Sequence, residues 1–242
     1  MSTEPHLSVV IPYRDEAASL VELHAELTAV LDRLAFGAEI LLVDDGSRDH
    51  GPEIARRLAQ RDPRLRLLSL SPPSGQSAAL EAGFRAARGE LVATLDADLQ
   101  NDPADLPRLL DRLEAADCVC GIRTPREDGA AKRLASRIAN WIRLLVLRDG
   151  VSDIGCSLRV MRRSQLARIK LFRGGHRFLP SMLRMEGARI AECPVRHRPR
   201  RHGRSKYGIA RRLLAVVPDL IAMAWLARRI DRYEVKELSR RA

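Results

Sequence analysis

A chain of 242 residues is long enough for one large α/β domain and short for two. Its hydrophobic content of 45% supports a packed core, which at 4% aromatic content must rest on Leu, Ala, Val and Ile. The net charge of +11 is uneven: residues 1–120 carry 12 Lys/Arg against 21 Asp/Glu, residues 121–212 carry 24 against 6, and residues 213–242 carry 6 against 4. An acidic half therefore precedes a basic segment, which either is a solvated surface or wants an anionic partner: nucleic acid, a phosphorylated ligand or an anionic membrane. There is no basic, then apolar, leader at the start and no stretch of about 18 uncharged apolar residues, so neither a signal peptide nor a membrane span is expected. Cys118, Cys120, Cys156 and Cys193 form no CxxC pair and read as buried free thiols of a reducing cytosol.

In chain order, the first half alternates short apolar runs with helical spacing. Residues 7–11 (LSVVI) predict a strand ending at Pro12, after which Leu20, Leu23, Leu27, Val30, Leu31 and Leu34 recur at helical spacing. Residues 39–43 (EILLV) predict a second strand, followed by the turn Asp44-Asp45-Gly46-Ser47 and a helix around Ile54 and Leu58. Residues 65–70 predict a third strand, 77–87 an Ala-rich helix closed by Gly89, and 91–95 a fourth strand running into Asp96-Ala97-Asp98. Pro103 opens a helix carrying Leu106, Leu109, Leu110 and Leu113, and residues 118–120 predict a fifth strand. Such alternation implies βαβ units, an α/β fold with a mostly parallel sheet, and ligands at the carboxyl ends of strands, where both acidic turns fall.

The second half is less regular. Residues 132–147 predict an amphipathic helix, 157–161 a strand, 176–185 a helix, 189–195 a strand, 199–206 (PRRHGRSK) a charged loop, and 207–229 one or two amphipathic helices bent near Pro218. The simplest organisation is a core domain over residues 1–206 with a C-terminal helical element over 207–242. His24 and His50 read as surface residues.

Asp96-x-Asp98 after a strand offers hard oxygen ligands suited to Mg²⁺ or Mn²⁺ shared with substrate phosphates. Alternate residues of an extended segment are expected to point oppositely, so that one carboxylate binds the metal and the other acts through water or a sugar. A carboxylate at Asp44-Asp45 can accept hydrogen bonds from a base or ribose. Each turn taken alone is equally an ordinary solvated turn. No GxGxxG, GxxxxGK[ST] or HExxH occurs.

The ordered set of motifs carries more than its parts. Val9-Val10-Ile11-Pro12-Tyr13-Arg14-Asp15-Glu16, Val43-Asp44-Asp45-Gly46-Ser47, Gly75-Gln76-Ser77-Ala78-Ala79-Leu80 and Leu95-Asp96-Ala97-Asp98-Leu99-Gln100-Asn101-Asp102-Pro103 follow one another. Together they resemble the inverting family-2 glycosyltransferases of the GT-A fold. Within these, the chain is similar to dolichol-phosphate mannose synthases and bacterial polyprenyl-phosphate glycosyltransferases. The resemblance continues through Gly121-Ile122-Arg123, residues 132–137 (KRLASR), residues 153–159 (DIGCSLR) and residues 200–207 (RRHGRSKY), and covers roughly residues 7–212. It implies that Pro12, Glu16, Asp44, Asp45, Gln76, Asp96 and Lys206 bind a nucleotide-sugar, and that Asp98 and Gln100 ligate Mg²⁺ or Mn²⁺. It further implies that Arg123, Lys132, Arg133, Arg159, Arg200 and Ser205 surround the acceptor phosphate, with Asp96, Asp98 and Arg159 catalytic and Ser205 and Lys206 on a loop closing over the donor. Asp153 would orient Arg159 or the acceptor. The chain departs from the family in Asp15, where an Asn is common, and in Lys132, where an Arg is expected, which loses the guanidinium fork. Many bacterial relatives also carry two C-terminal membrane spans, for which this sequence has no counterpart.

The implied reaction is transfer of a sugar from GDP-mannose or a UDP-sugar to polyprenyl or dolichyl phosphate by single displacement with inversion. A phosphate monoester is largely ionised at neutral pH, its second pKa being about 6, and so needs no general base. The expected place is the cytoplasmic face of a membrane. There the apolar helix after residue 207 and its flanking arginines would lie on an anionic surface, or else pack on the core, a second copy or a membrane-protein partner. Two other readings compete. A hydroxyl-acceptor glycosyltransferase would need a carboxylate base and commonly a QxxRW motif, and neither stands out. A nucleic-acid-binding protein would explain the charge but not the acidic turns, and few aromatics are present for base stacking.

Overall fold

The computed structural model describes residues 4–124, 143, 147, 150–199 and 209–230, with side chains in the last segment from 217 onward. Seven strands form one sheet: β1 (Leu7–Tyr13), β2 (Ala38–Asp44), β3 (Leu65–Ser69), β4 (Leu91–Thr94), β5 (Cys118–Arg123), β6 (Arg159–Arg162) and β7 (Ile190–Val195), in the order β3-β2-β1-β4-β6-β5-β7. All pairings are parallel except those of β6, which runs antiparallel to both β4 and β5. Helices α1 (Leu20–Leu31), α2 (Gly51–Ala59), α3 (Gln76–Ala86), α4 (Leu106–Arg112), α5 (Arg163–Leu166), α6 (Leu179–Met185) and α7 (Ile209–Ala227) and 3₁₀ turns at Pro103–Asp105, Leu113–Ala115 and Gly175–Phe178 complete the described elements.

The period of two in the central strands sorts their side chains into two cores. Leu7, Val9, Ile11 and Tyr13 of β1, with Ile40 and Leu42 of β2, meet Leu20, Leu23 and Leu27 of α1 and Leu106 and Leu109 of α4 on one face. On the other face Val10, Leu41, Val43 and Val92 meet Ala79, Leu80 and Phe84 of α3, Leu179 and Leu183 of α6, and Met223 of α7. Every residue of β1 and β4 is buried, as both-face coverage of a parallel sheet demands. The result is the α/β fold with a mostly parallel sheet that the strand–helix alternation implies.

Several expectations need adjustment. The strand expected over 157–161 is Arg159–Arg162, since residues 154–158 form a turn and loop that pass the end of β4. The helix expected over 176–185 is split into a 3₁₀ turn at Gly175–Phe178 and α6. The C-terminal element expected over 207–229 as one or two helices is the single helix α7, Ile209–Ala227, with Pro218 inside it. Of the helix expected over 132–147, only residues 143 and 147 are among the described residues, and both are helical. His24 is not a free surface residue, since its Nε2 lies 3.0 Å from Asp62 Oδ2 with the side chain only 17% exposed. His50 is exposed, and all four cysteines are buried free thiols. No described helix is long and apolar enough to cross a membrane.

Candidate active site

The sheet order changes direction at β1. From there the chain winds outward to β2 and β3 on one side and to β4 on the other. The carboxyl end of β1 therefore lies between those of β2 and β4, where an open α/β sheet forms a crevice. Three loops leave there together: residues 14–19 after β1, 45–50 after β2 and 95–102 after β4.

The second loop is built around two carboxylates. Asp44 Oδ1 accepts the Ser47 N–H at 2.9 Å and the Ser47 hydroxyl at 2.6 Å, closing the turn. Gly46 takes φ of 71° there, and a Cβ at that position would lie 2.4 Å from Pro73 Cγ, so only glycine fits. Asp45 Oδ1 accepts the Ser74 and Gly75 N–H groups at 2.6 and 2.8 Å, gripping the backbone just before α3, while its Oδ2 faces Arg14 Nη1 at 3.7 Å. Pro12 pairs in register with Val43, and the Glu16 carbonyl accepts the Ser19 N–H and hydroxyl at the start of α1. Asp15 adopts φ of 52°, a region that Asn and Asp tolerate, and its Oδ1 accepts the Arg48 N–H at 2.7 Å. An amide oxygen would accept the same bond, so the departure from the common Asn keeps the loop contact. Burial, then the nearby Asp44 and Asp49 carboxylates, push the Tyr13 phenol far up and keep it protonated.

The third loop carries the Asp-x-Asp turn. Leu95, Ala97 and Leu99 are buried, whereas Asp96, Asp98 and Gln100 are half-exposed. Residues 97–98 form a turn and Leu99 a bend, so the extended geometry on which divergence of the two carboxylates is expected does not run through the Asp-x-Asp loop. Leu99 holds φ of 62°, strained for a leucine, with its side chain fixed in the core at 1% exposure. Asp98 Oδ1 accepts the Gln100 N–H at 3.2 Å, and Asp96 Oδ1 accepts Gln76 Nε2 at 2.9 Å. Asp96, Asp98 and Gln100 thus bring three half-exposed, oxygen-bearing side chains into one loop. That donor set fits a hard divalent cation that retains water and shares substrate phosphates, although no group of three His, Cys, Asp or Glu side chains clusters among the described residues.

The basic residues divide. Lys132, Arg133, Arg200, Ser205 and Lys206 lie outside the described residues. Arg123, at the end of β5, forms a two-pronged ion pair with Asp153 at 2.8 Å for each bond, and a Cβ on Gly155 would lie 2.6 Å from its Nη2. Asp153 therefore orients Arg123, not Arg159. Arg159 is only 4% exposed, and its Nη1 and Nη2 donate to the His176 and Ile154 carbonyls at 2.9 and 2.8 Å. Expected beside a phosphate, it is instead engaged with the chain's own backbone.

Other residues of the site were not singled out from the sequence. Asn101 Nδ2 donates to Ser157 Oγ at 2.6 Å and Thr94 Oγ1 to the Ser157 carbonyl at 2.5 Å, joining the β4 loop to residues 153–158. Arg198 bridges Glu26 at 2.7 Å and Asp102 at 2.9 Å, and its N–H donates to the Gln100 carbonyl at 2.8 Å. Arg196 reaches Asp102 at 3.2 Å. The segment leading toward residue 200 is thus anchored beside Gln100. The available signal was the pairing of Asp102 and Asp105 with the arginines of RHRPR, which needs tertiary structure to match.

The chain is similar to known proteins over most of its length. The model of the family described as glycosyl transferase family 2 matches residues 8–170. An undecaprenyl-phosphate 4-deoxy-4-formamido-L-arabinose transferase of Pseudomonas aeruginosa is 43% identical over 220 residues, covering 89% of this chain and 64% of that one. A dodecaprenyl-phosphate galacturonate synthase of Rhizobium johnstonii is 37% identical over 228 residues, covering 92% and 67%. The chain spans about two thirds of the length of these curated relatives. Among solved structures, a glucosyl-3-phosphoglycerate synthase of Mycobacterium tuberculosis in complex with Mn²⁺, uridine diphosphate and phosphoglyceric acid superposes with a TM-score of 0.70 at 20% identity, covering 94% of this chain and 80% of that one. A mannosyltransferase of Pyrobaculum calidifontis in complex with GDP-Man and Mn²⁺ gives 0.68 at 21% identity, covering 96% and 67%. At such identities the shared property is the fold.

Proposed function

Since the chain belongs to glycosyl transferase family 2, we propose that it moves a sugar from a nucleotide-sugar, GDP-mannose or a UDP-sugar, to a polyprenyl phosphate. The observation that carries the reading is the loop of Asp96, Asp98 and Gln100 at the carboxyl end of β4, where Asp96 Oδ1 accepts from Gln76 Nε2 at 2.9 Å beside the crevice at β1. The similarity to enzymes named for undecaprenyl and dodecaprenyl phosphate supports the acceptor class.

In this reading Pro12, Glu16, Asp44 and Asp45 border the nucleotide, and Gln76 holds Asp96 toward the donor. Asp98 and Gln100 hold Mg²⁺ or Mn²⁺, which when bound would neutralise charge on the departing diphosphate. An acceptor phosphate oxygen attacks the anomeric carbon as the bond to the diphosphate oxygen breaks, with inversion and with no proton to remove. The chain's work is in-line positioning and charge complementarity. Arg123, held by Asp153, faces the acceptor phosphate together with Lys132, Arg133, Arg200 and Ser205, and Lys206 covers the donor. Arg159 supports this wall by clamping residues 154 and 176.

The C-terminal helix supplies the approach to lipid. Val217, Ile221 and Trp225 are 55, 65 and 58% exposed and recur every four residues along one stripe of α7, and Arg229 stacks over the Trp225 ring at 4.9 Å. An apolar stripe beside Arg228 and Arg229 suits an anionic membrane surface. Sedimentation with anionic liposomes at low salt, weakened by Trp225→Ser, is the expected result. A protein that stays in the supernatant would remove this part of the reading.

The decisive assay combines purified protein, Mn²⁺ or Mg²⁺, undecaprenyl or dolichyl phosphate and a panel of GDP- and UDP-sugars, and follows lipid-dependent release of nucleoside diphosphate. One donor should respond, and Asp98→Ala should lower its turnover by about 10²–10³-fold, as loss of an electrostatic stabiliser does. Release that ignores the lipid would refute the acceptor. Undiminished, metal-dependent turnover in Asp98→Ala would refute the metal assignment.

A further inference from the structure

Ser77 and His176 have no part in the chemistry so far, yet they join two walls of the crevice. Ser77 follows Gln76 in the first turn of α3, and Gln76 is the residue that holds Asp96. The Ser77 oxygen accepts the Gly174 N–H at 3.1 Å and the His176 N–H at 3.3 Å, and lies 2.9 Å from His176 Nδ1. A hydroxyl has two lone pairs and one proton. With both lone pairs taken by backbone N–H groups, the proton must point at Nδ1. That fixes the imidazole as the neutral form with its own proton on Nε2. The His176 carbonyl accepts Arg159 Nη1, whose other arm holds Ile154, next to the Asp153 that orients Arg123. Four residues further along α3, Glu81 Oε2 accepts the Leu171 N–H at 3.0 Å. Residues 171–176 are therefore fastened at both ends to α3 and from below to β6.

We infer that His176 is a positioning residue of the donor site: through Ser77 it fixes the first turn of α3 and so the angle at which Gln76 presents Asp96. This rests on the reading of Gln76 and Asp96 as donor-site groups. The neutral ring agrees with its surroundings, since burial, then the Arg177 and Arg159 charges, push its pKa down to about 3.

The test measures binding of GDP and UDP with Mn²⁺ by calorimetry, which needs no acceptor. His176→Leu keeps the bulk but leaves the Ser77 proton without an acceptor. It should weaken binding by about five- to tenfold, the size of coupling expected between residues of one network. His176→Asn, whose amide oxygen sits near the Nδ1 position, should restore binding to within about twofold. In a Gln76→Ala background, His176→Leu should have no further effect, because the route through Gln76 is already cut. Wild-type affinity in His176→Leu, or an undiminished loss in the Gln76→Ala background, would overturn the inference. Absence of nucleotide binding by the unmodified protein would instead strike the functional reading. In that case amide exchange still decides whether the tether exists: Ser77→Ala should release protection at Gly174 and His176, and unchanged protection would dispose of it.

Discussion

Two carboxylates at opposite ends of the same part of the sheet are equally buried and do different work. Glu39 near the start of β2 and Asp45 just past its end are each 5% exposed. Both oxygens of Glu39 are saturated within the fold, Oε1 by the Ser8 hydroxyl at 2.6 Å and the Arg88 N–H at 2.7 Å, and Oε2 by Arg66 at 2.6 Å. Asp45 uses Oδ1 to hold the backbone before α3 and turns Oδ2 toward Arg14. Burial of an acid therefore does not mark a site. The two differ in where they stand along the strand and in what their second oxygen faces, Arg66 at 2.6 Å for Glu39 and Arg14 at 3.7 Å for Asp45.

The comparison breaks first at Glu39. Burial alone would raise its pKa, but the bonds from Ser8, Arg66 and Arg88 outweigh it and hold the carboxyl below the usual range. A group depressed in this way stabilises the fold above its unfolded pKa, and the contribution is lost as pH falls through the folded value. Glu39→Ala removes the Arg66 ion pair and takes the acceptor from the Ser8 hydroxyl and the Arg88 N–H, which should cost about 3 kcal/mol in denaturant unfolding, while kcat per folded molecule stays unchanged. A fall in kcat with intact stability would erase the distinction between the two ends of the sheet.

Asp45 comes next in size. Asp45→Ala leaves the Ser74 and Gly75 N–H groups without their acceptor, which should cost about 1–3 kcal/mol. It should also raise KM for the nucleotide-sugar, since α3 and Gln76 lose their anchor. Asp45→Asn retains an acceptor oxygen, and should recover most of the stability while still losing the charge that faces Arg14. Equal stability losses in the two variants would mean that the charge, not the anchoring, is what Asp45 supplies.

The same contrast explains how much was legible in the sequence. Asp44, Asp45, Asp96 and Asp98 lie in turns whose form follows from local residues, with Gly46 and the strand before each, and their shared end of the sheet follows from strand–helix alternation. Asp153 and Arg159 could not be placed in that way. Which arginine Asp153 holds depends on β5 and β6 lying side by side in an antiparallel register, a long-range pairing that no local pattern encodes. The strand before Asp96 and Asp98 is legible in the sequence, whereas their directions are not, because the turn at residues 97–98 and the positive φ of Leu99 replace extended geometry. Arg196 and Arg198 were visible only as part of a basic run, because their partners Glu26, Asp102 and Asp105 come from far along the chain.

The last expected effect concerns His176, and it depends on pH. In the unfolded chain this ring takes up a proton near pH 6.5, whereas in the fold its pKa is pushed down to about 3 by burial, Arg177 and Arg159. Between those values the unfolded state binds the extra proton, so stability is full above about pH 6.5 and erodes as pH falls, by at most about 1.4 kcal/mol per unit for one group. Glu39, Asp62 and Asp117 have carboxyls held below their usual range, and so contribute only further into acid. The interval from pH 6.5 to 4.5 therefore isolates the histidine among these groups. Denaturant unfolding of the unmodified protein should show a shallow loss across that interval, and His176→Asn, which keeps the acceptor but cannot titrate, should flatten it. Matching slopes would mean that the ring takes up its proton in the fold across that same interval. Ser77 could not then donate to Nδ1, and the contact between α3 and residues 171–176 would rest on the two backbone N–H groups alone.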